Sequence, residues 1–157
     1  MDDIKALREK LGVPDAPTVN AGLSATATFF RLVVHDDPLK WWRYLRGIDF
    51  HKRVEITRLQ RGKSLIRYDS VAERYLKPFA YFTDPGVSPF HTGTSFPAWQ
   101  YKLFNVVTET SALVSTASSL SFDIQDRVSR LGGGIQYIIA FADWPKLLRV
   151  GDTKRAP

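Results

Sequence analysis

The sequence contains no cysteine among its 157 residues. Disulfides, thiol nucleophiles and cysteine-ligated zinc are therefore excluded, so stability must come from packing. The sequence also lacks an apolar run near the ~20 residues that span a bilayer. Its charged, amphipathic start, MDDIKALREK, is unlike a secretory signal. We expect a protein made in the cytoplasm, without a membrane-spanning segment.

Signatures of several common enzyme classes are missing as well. The three histidines, His35, His51 and His91, are isolated and none has a metal-ligand spacing such as HExxH. No P-loop or GxGxxG fingerprint is present, and the GGG of residues 132–134 precedes an apolar run rather than following one. We expect no metal site, and the kinase, P-loop and Rossmann classes are set aside.

The bulk composition is that of a folded protein. Hydrophobic residues make up 44% and charged residues 24% of the chain. A chain of this length buries roughly two-thirds of the surface that it exposes when unfolded. We therefore predict one domain over residues 1–157, with a helical part at 1–50 and a β-rich catalytic core at 51–150.

Positive charge is concentrated in one segment. The net charge is +6, and Lys40 to Arg67 holds nine Lys or Arg residues against Asp49 and Glu55 alone. Such a segment favours an anionic partner, which can be a phosphate-bearing small molecule, a nucleic acid or an acidic protein. It is equally typical of a solvated basic face.

Apolar spacing and stop signals predict three helices in the first third of the chain. Ile4, Leu7 and Leu11 share one helical face before Gly12. A second helix is predicted over Ser24 to Val34, and a third from Asp37-Pro38 to Gly47.

The later sequence changes to the period of strands. RVEITRLQ and SLIRY flank an RGK turn, YKLFNVVTE is a further strand, and GGGIQYIIAFADW reads as a last, buried strand. KPFAYFTDPGVSPFHTGTSFP is predicted to be a long ordered loop. The pattern of SALVSTASSLSFDIQDRVSRL is compatible with a helix and with a mixed structure. The class is α+β with a small, mainly antiparallel β core.

Three short motifs stand out in the second half: LIRYDS with Arg67, ERYLKP with Tyr75, and SRLGGGIQY with Gln136. Each alone is ordinary, because a strand-end arginine is usually a surface residue, a tyrosine before leucine is usually core, and a lone strand amide is often exposed. Together they are similar to the NAD glycohydrolase toxins of the tuberculosis necrotizing toxin family. That family has an arginine in a D-R-F-G-like stretch, an aromatic residue before L-x-P, and a glutamine after a glycine triplet, in this order. The resemblance covers roughly Leu65 to Ile139.

The sequence departs from the family pattern at several positions. Asp69 stands where the family has a glycine after the arginine, and Arg74 replaces the glycine before the aromatic residue. Arg130-Leu131 stands in place of Gln-Pro, and the family's central histidine has no clear match.

The resemblance implies an ADP-ribosyltransferase-like core, with NAD+ or NADP+ as substrate and no cofactor. In this scheme Gln136 positions the reacting ribose, Arg67 holds the pyrophosphate as a bidentate fork, and an aromatic ring stacks on nicotinamide or adenine. The glycines turn the chain and let substrate lie close. The implied catalytic residues are Gln136, Arg67 and Tyr75, and the implied substrate-binding residues are Arg67, Tyr75, Phe79, Gly133 and Gly134.

The function implied is that of an interbacterial toxin that hydrolyses NAD(P)+ to nicotinamide and ADP-ribose. One alternative is an ADP-ribosyltransferase on the same core, which the lack of a clear E-x-E or Q-x-E pair near Gln136 disfavours. Another is a basic nucleic-acid-binding or nuclease module, with Trp41, Trp42 and Tyr44 stacking on bases. A pure interaction protein is a third.

A toxin that consumes a universal cofactor implies a cognate immunity protein, acidic where it meets the basic segment. The lack of a signal peptide predicts export by a contact-dependent machine of the type VI kind, with a possible carrier, and action in the target-cell cytoplasm. We expect no nucleic-acid partner on this reading.

Overall fold

The structure, a computed structural model, describes residues 3–33, 38–68, 79–87, 91, 101–118, 120–123, 128–130 and 132–153. Three α-helices precede the first strand: α1 (Asp3–Leu11), α2 (Pro17–Val33) and α3 (Trp42–Leu45). Helix α1 ends before Gly12, whose φ of 67° is left-handed. Of the helices in the described ranges, none is long and apolar enough to cross a bilayer.

Helix α2 begins at Pro17 rather than at Ser24, where it was predicted to begin. Proline is tolerated in the first turn of a helix because its missing N–H needs no partner there. Val19 and Leu23 extend the buried face toward that proline, and Phe30 continues it.

The strands form one large sheet and one small one. The seven-stranded sheet has the order β1-β5-β8-β3-β2-β4-β9, a two-stranded sheet joins β6 and β7, and every pairing between these strands is antiparallel. The α+β class and the antiparallel sheet are confirmed. The strands are β1 (Glu55–Leu59), β2 (Ser64–Tyr68), β3 (Phe79–Thr83), β4 (Tyr101–Val106), β5 (Thr110–Thr116), β6 (Leu120–Asp123), β7 (Val128–Arg130), β8 (Ile135–Ala140) and β9 (Leu147–Thr153).

The predicted loop between residues 77 and 97 was wrong over Phe79–Thr83. That segment is β3, which pairs with both β8 and β2 near the middle of the sheet. The prediction failed because the strand is only five residues long, and the Pro, Gly, Ser and Thr residues that follow it give the whole stretch the composition of a loop. The undecided stretch that begins at Ser111 contributes to β5, β6 and β7, and β8 is followed by a further strand, β9.

The first face of the large sheet packs against the helices, and we call it the helix face. Its core joins residues of the helices to Phe79, Leu113 and Ile138 of the sheet. Phe30 lies at its centre, with its ring centroid 5.5 Å from that of Trp41 and 5.4 Å from that of Phe79.

The other face, which we call the second face, has a separate apolar core that includes Leu65, Phe82 and Ile139, with Trp144 packed against it. The 3-10 helix Phe141–Lys146 supplies that tryptophan. The sheet therefore has two buried faces, each with its own layer.

A polar network lies on the second face beside this core. Lys63 Nζ is 2.6 Å from Asp84 Oδ1, and the Tyr137 hydroxyl donates to the same oxygen over 2.9 Å. The hydrogen bond to Asp84 raises the pKa of Lys63, and burial, more than the nearby Asp84, raises the pKa of Tyr137. These three side chains satisfy one another.

Candidate functional site

The glycine triplet forms the turn into β8. Gly132 and Gly133 have φ angles of 70° and 86°, a left-handed backbone that other residues adopt only at a cost. Gly134 serves a different need, since a Cβ atom there would lie 2.5 Å from the carbonyl oxygen of His91. Its N–H donates to that carbonyl over 2.8 Å. The glycine triplet was predicted to let substrate lie close to the backbone. At Gly134 the group that lies close is the protein's own His91 carbonyl.

Gln136 follows this turn as the second residue of β8. In the sheet it lies directly opposite Thr83 of β3 on one side and Ser115 of β5 on the other. The side chain is 3% exposed, and its Nε2 donates to the carbonyl oxygen of Gly47 over 2.9 Å. The sheet fixes the backbone of Gln136 on both sides, and Gly47 fixes its amide.

Gly47 belongs to a segment that lies against the end of β5. Its carbonyl also accepts from the N–H of Ser118 over 2.9 Å, and the Ser118 hydroxyl donates to the Arg46 carbonyl over 3.0 Å. Ile48 forms a bridge with Ala117. Residues 46–49 therefore cover the end of the sheet at which Gln136 lies.

Directly opposed residues of antiparallel strands share a face of the sheet. Ser115, Gln136 and Thr83 accordingly form a polar row on the helix face, which we call the polar row. All three residues are buried, with exposures of 1%, 3% and 3%. The Thr83 hydroxyl donates to the Ile135 carbonyl over 2.5 Å, whereas Ser115 Oγ has no hydrogen-bond partner in the described part of the chain.

Arg67 does not join Gln136. Ile66 lies opposite Thr83, which places Ile66 on the helix face and its neighbour Arg67 on the second face. In agreement, the Arg67 guanidinium lies 5.4 Å from the centre of the Trp144 ring, and Trp144 packs on the second-face core. These two of the three predicted catalytic side chains are therefore on opposite faces of one sheet.

Phe79 is on the helix face, but it is a core residue. Its side chain is 1% exposed, and its ring contacts those of Phe30, Tyr44 and Tyr81. A ring enclosed by other rings has no surface left for a substrate, so the prediction that Phe79 stacks on the dinucleotide is corrected. Tyr75, the other predicted aromatic residue, lies outside the described residues.

The two predicted substrate-binding glycines differ in their surroundings. A Cβ atom on Gly133 would have open space around it, and the residue is exposed. The space above Gly134 is occupied by His91 and Val87.

Cations surround an aromatic ring next to the Gly47 segment. The Arg46 guanidinium is 4.7 Å, and the Lys10 ammonium 6.0 Å, from the centre of the Trp42 ring. Trp42 is thus a half-buried helix residue with a basic rim rather than an exposed base-stacking platform. Among the residues that the structure describes, no group of His, Asp and Glu side chains could hold a metal ion.

Sequence reasoning missed Ser115, Thr83 and Gly47. Ser115 and Thr83 are small polar residues in segments without a motif. Only the pairing of three strands brings them beside Gln136. Gly47 acts through its carbonyl, for which no side-chain signal exists.

A solved structure contains a chain with a similar fold. The chain is similar to a chain in the structure of Tse6 in complex with Tsi6, with a TM-score of 0.65 and 19% identity over 87% of this chain and 98% of that chain. A chain in the complex of Rhs1-CT with its cognate immunity protein RhsI1 is 15% identical, with a TM-score of 0.45 over 71% of this chain and 86% of that chain. No protein-family model and no curated protein matches the sequence.

Proposed function

We propose that the protein is an NAD(P)+ glycohydrolase that acts as an interbacterial toxin. The observation that carries the proposal is the setting of Gln136, an amide held at the start of a central strand, behind a glycine turn, inside a buried polar row. The order of the three sequence motifs supports the same activity. The fold shared with a chain of the Tse6–Tsi6 complex is compatible with it.

The reaction suits a neutral amide. The bond between ribose C1′ and the nicotinamide nitrogen breaks with its electrons going to the ring, which is already cationic and needs no proton. Water then adds to the oxocarbenium-like carbon and gives up its proton to solvent. What the enzyme must supply is positioning of the ribose, and an amide supplies it through a donor and an acceptor at any pH near neutrality.

The proposal places the substrate on the helix face, at the polar row. Gln136 is 3% exposed and its amide nitrogen is bonded to Gly47, so substrate binding requires residues 46–49 to move away from the row. Arg46, the exposed cation directly before Gly47, is then a candidate for the pyrophosphate. Arg67 would act from the second face only by supporting the sheet.

The toxin part of the proposal includes a partner. A protein that hydrolyses NAD(P)+ endangers its producer, so a cognate immunity protein must bind it, with acidic residues against the basic segment from Lys40 to Arg67. Export by a contact-dependent machine, with or without a carrier, and action in the cytoplasm of the target cell complete the proposal.

The test is incubation of the purified protein with NAD+ and with NADP+, with nicotinamide and ADP-ribose (or its phosphate) quantified by chromatography. We expect both products in equal amounts. Nicotinamide release with ADP-ribose attached to protein would favour an ADP-ribosyltransferase instead. Intact dinucleotides beside degraded nucleic acid in a parallel reaction would contradict the proposal.

A further inference from the structure

We infer that the Ser115 hydroxyl is a substrate-binding group that hydrogen-bonds a hydroxyl of the ribose held by Gln136. The inference rests on the proposed function and adds a residue to its site. No sequence motif pointed to Ser115, and the case for it comes from burial, hydrogen bonding and register.

The first step is the cost of the buried hydroxyl. Ser115 is 1% exposed, and its Oγ has no hydrogen-bond partner among the residues that the structure describes. A buried hydroxyl without a partner destabilises the folded state, and buried polar groups in proteins are nearly always paired. A serine at this position is therefore costly unless something else bonds to it.

The second step is the distance from Ser115 to Gln136. The two residues are directly opposed in the β5–β8 pair, an arrangement that places Cβ atoms about 4.5–5.5 Å apart on one face. A small group bound by the Gln136 amide thus lies within reach of Ser115 Oγ.

The third step is that the neighbouring hydroxyl is already used. Thr83, on the other side of Gln136, donates to the Ile135 carbonyl, and the amide nitrogen of Gln136 is bonded to Gly47. Of the two hydroxyls in the polar row, that of Ser115 is the one without a partner among the residues that the structure describes, so it can bond a ligand.

The ligand chemistry follows from these groups. A serine hydroxyl both donates and accepts, and so does a sugar hydroxyl, while the amide oxygen of Gln136 accepts. A ribose with neighbouring hydroxyls can bond Gln136 through one and Ser115 through the other. This would orient the C1′ carbon without placing any titratable group beside it.

The experiment compares Ser115→Ala with a matched control, Thr110→Val, which removes another buried hydroxyl of β5 that lies opposite Leu59 on the second face. For Ser115→Ala we expect kcat/KM for NAD+ to fall about tenfold, the effect of one lost hydrogen bond. Its resistance to urea should be equal to or greater than that of the wild type, because an unpaired hydroxyl is gone. Thr110→Val, whose hydroxyl donates to the Ser111 carbonyl away from the polar row, should retain kcat/KM within about threefold.

NAD+ analogues that lack the 2′- or the 3′-hydroxyl of the nicotinamide ribose identify the contact. With one of them the ratio of wild-type to Ser115→Ala activity should fall from about ten to about one, because the hydroxyl that Ser115 binds is already absent. A merely structural serine would leave the ratio unchanged with both analogues, which would overturn the inference. An equal loss of kcat/KM in Thr110→Val would overturn it too.

Failure of the inference can be told from failure of the proposed function. If the wild-type protein is active and Ser115→Ala is equally active, the role of Ser115 is refuted and the function stands. If the wild-type protein releases no nicotinamide, the proposed function fails and the role of Ser115 fails with it.

Discussion

The two faces of the large sheet are both buried, but the polar row on the helix face and the polar network on the second face differ in how their side chains are hydrogen-bonded. On the second face Lys63, Asp84 and Tyr137 bond to one another. On the helix face Ser115 Oγ has no partner in the described part of the chain, and the amide nitrogen of Gln136 donates to the Gly47 carbonyl. The side chains of the second-face network satisfy one another, whereas the unpaired hydroxyl beside Gln136 leaves a hydrogen-bonding position for a ligand. Trp41 Nε1 and Trp144 Nε1 are also buried without a partner in the described chain, but neither belongs to the polar row.

The same comparison separates Gln136 from Arg67, two of the three predicted catalytic residues. Arg67 stacks over Trp144 on the second face, and Gln136 lies under residues 46–49 on the helix face. The two faces should be alike in their contribution to stability and in their response to alkaline pH, and they should differ in catalysis.

The largest expected effect is on stability, and it should be alike on both faces. Phe30 is 0% exposed on the helix face and Phe82 is 1% exposed on the second face, so Phe30→Ala and Phe82→Ala should each lower the free energy of unfolding by about 3–5 kcal/mol. Urea denaturation measures it. Leu32→Ala, on the same helix as Phe30 but 74% exposed, is the control and should change the free energy by no more than about 0.5 kcal/mol.

A small loss in Phe82→Ala beside a large one in Phe30→Ala would show that the second face is not a true core. The assignment of Lys63, Asp84 and Tyr137 to a structural network would then lose its basis.

A smaller effect concerns alkaline pH. Burial raises the pKa of Tyr81, whose hydroxyl donates to the Tyr44 carbonyl on the helix face, and it also raises the pKa of Tyr137 on the second face. Above pH 10, the ordinary tyrosine pKa, the unfolded chain loses protons that the folded chain keeps. The free energy of unfolding should therefore fall as pH rises, by at most about 1.4 kcal/mol per pH unit for each such group.

Urea denaturation between about pH 8 and 11 checks this slope. Tyr81→Phe and Tyr137→Phe should each remove one group's share of it, although both variants lose a hydrogen bond at every pH. A slope that neither substitution changes would mean that these phenols are not held in their neutral form by the fold.

Much of the fold could be predicted from the sequence, because the spacing of apolar residues and the stop signals within one segment decide whether that segment forms a helix or a strand. Period and stop signals were enough for α1, and alternating apolar residues for β1, β2, β4 and β8. They failed for Phe79–Thr83, where the flanking turn residues dominate the composition. They also gave no sign that β1 and β2, close in sequence, lie apart in the sheet.

The site was less predictable, for a geometric reason. Arg67 and Gln136 share a face of the sheet only if the registers of the β2–β3 and β3–β8 pairs align them, and a shift of one residue moves a side chain to the other face. The sequence does not show which strands pair or in which register. The same pairing brings Ser115 beside Gln136 from another strand. Motif spacing identified Gln136 itself but could not report its neighbours.

We propose that catalysis takes place on the helix face, at Gln136. This proposal is tested most directly by nicotinamide release from NAD+ with Gln136→Ala and Arg67→Ala compared in parallel, both verified as folded by near-UV circular dichroism. We predict that Gln136→Ala loses at least about 100-fold in kcat/KM, the scale of a lost positioning group, while Arg67→Ala stays within about fivefold of the wild type. Equal and large losses in both variants, or an active Gln136→Ala, would contradict the account.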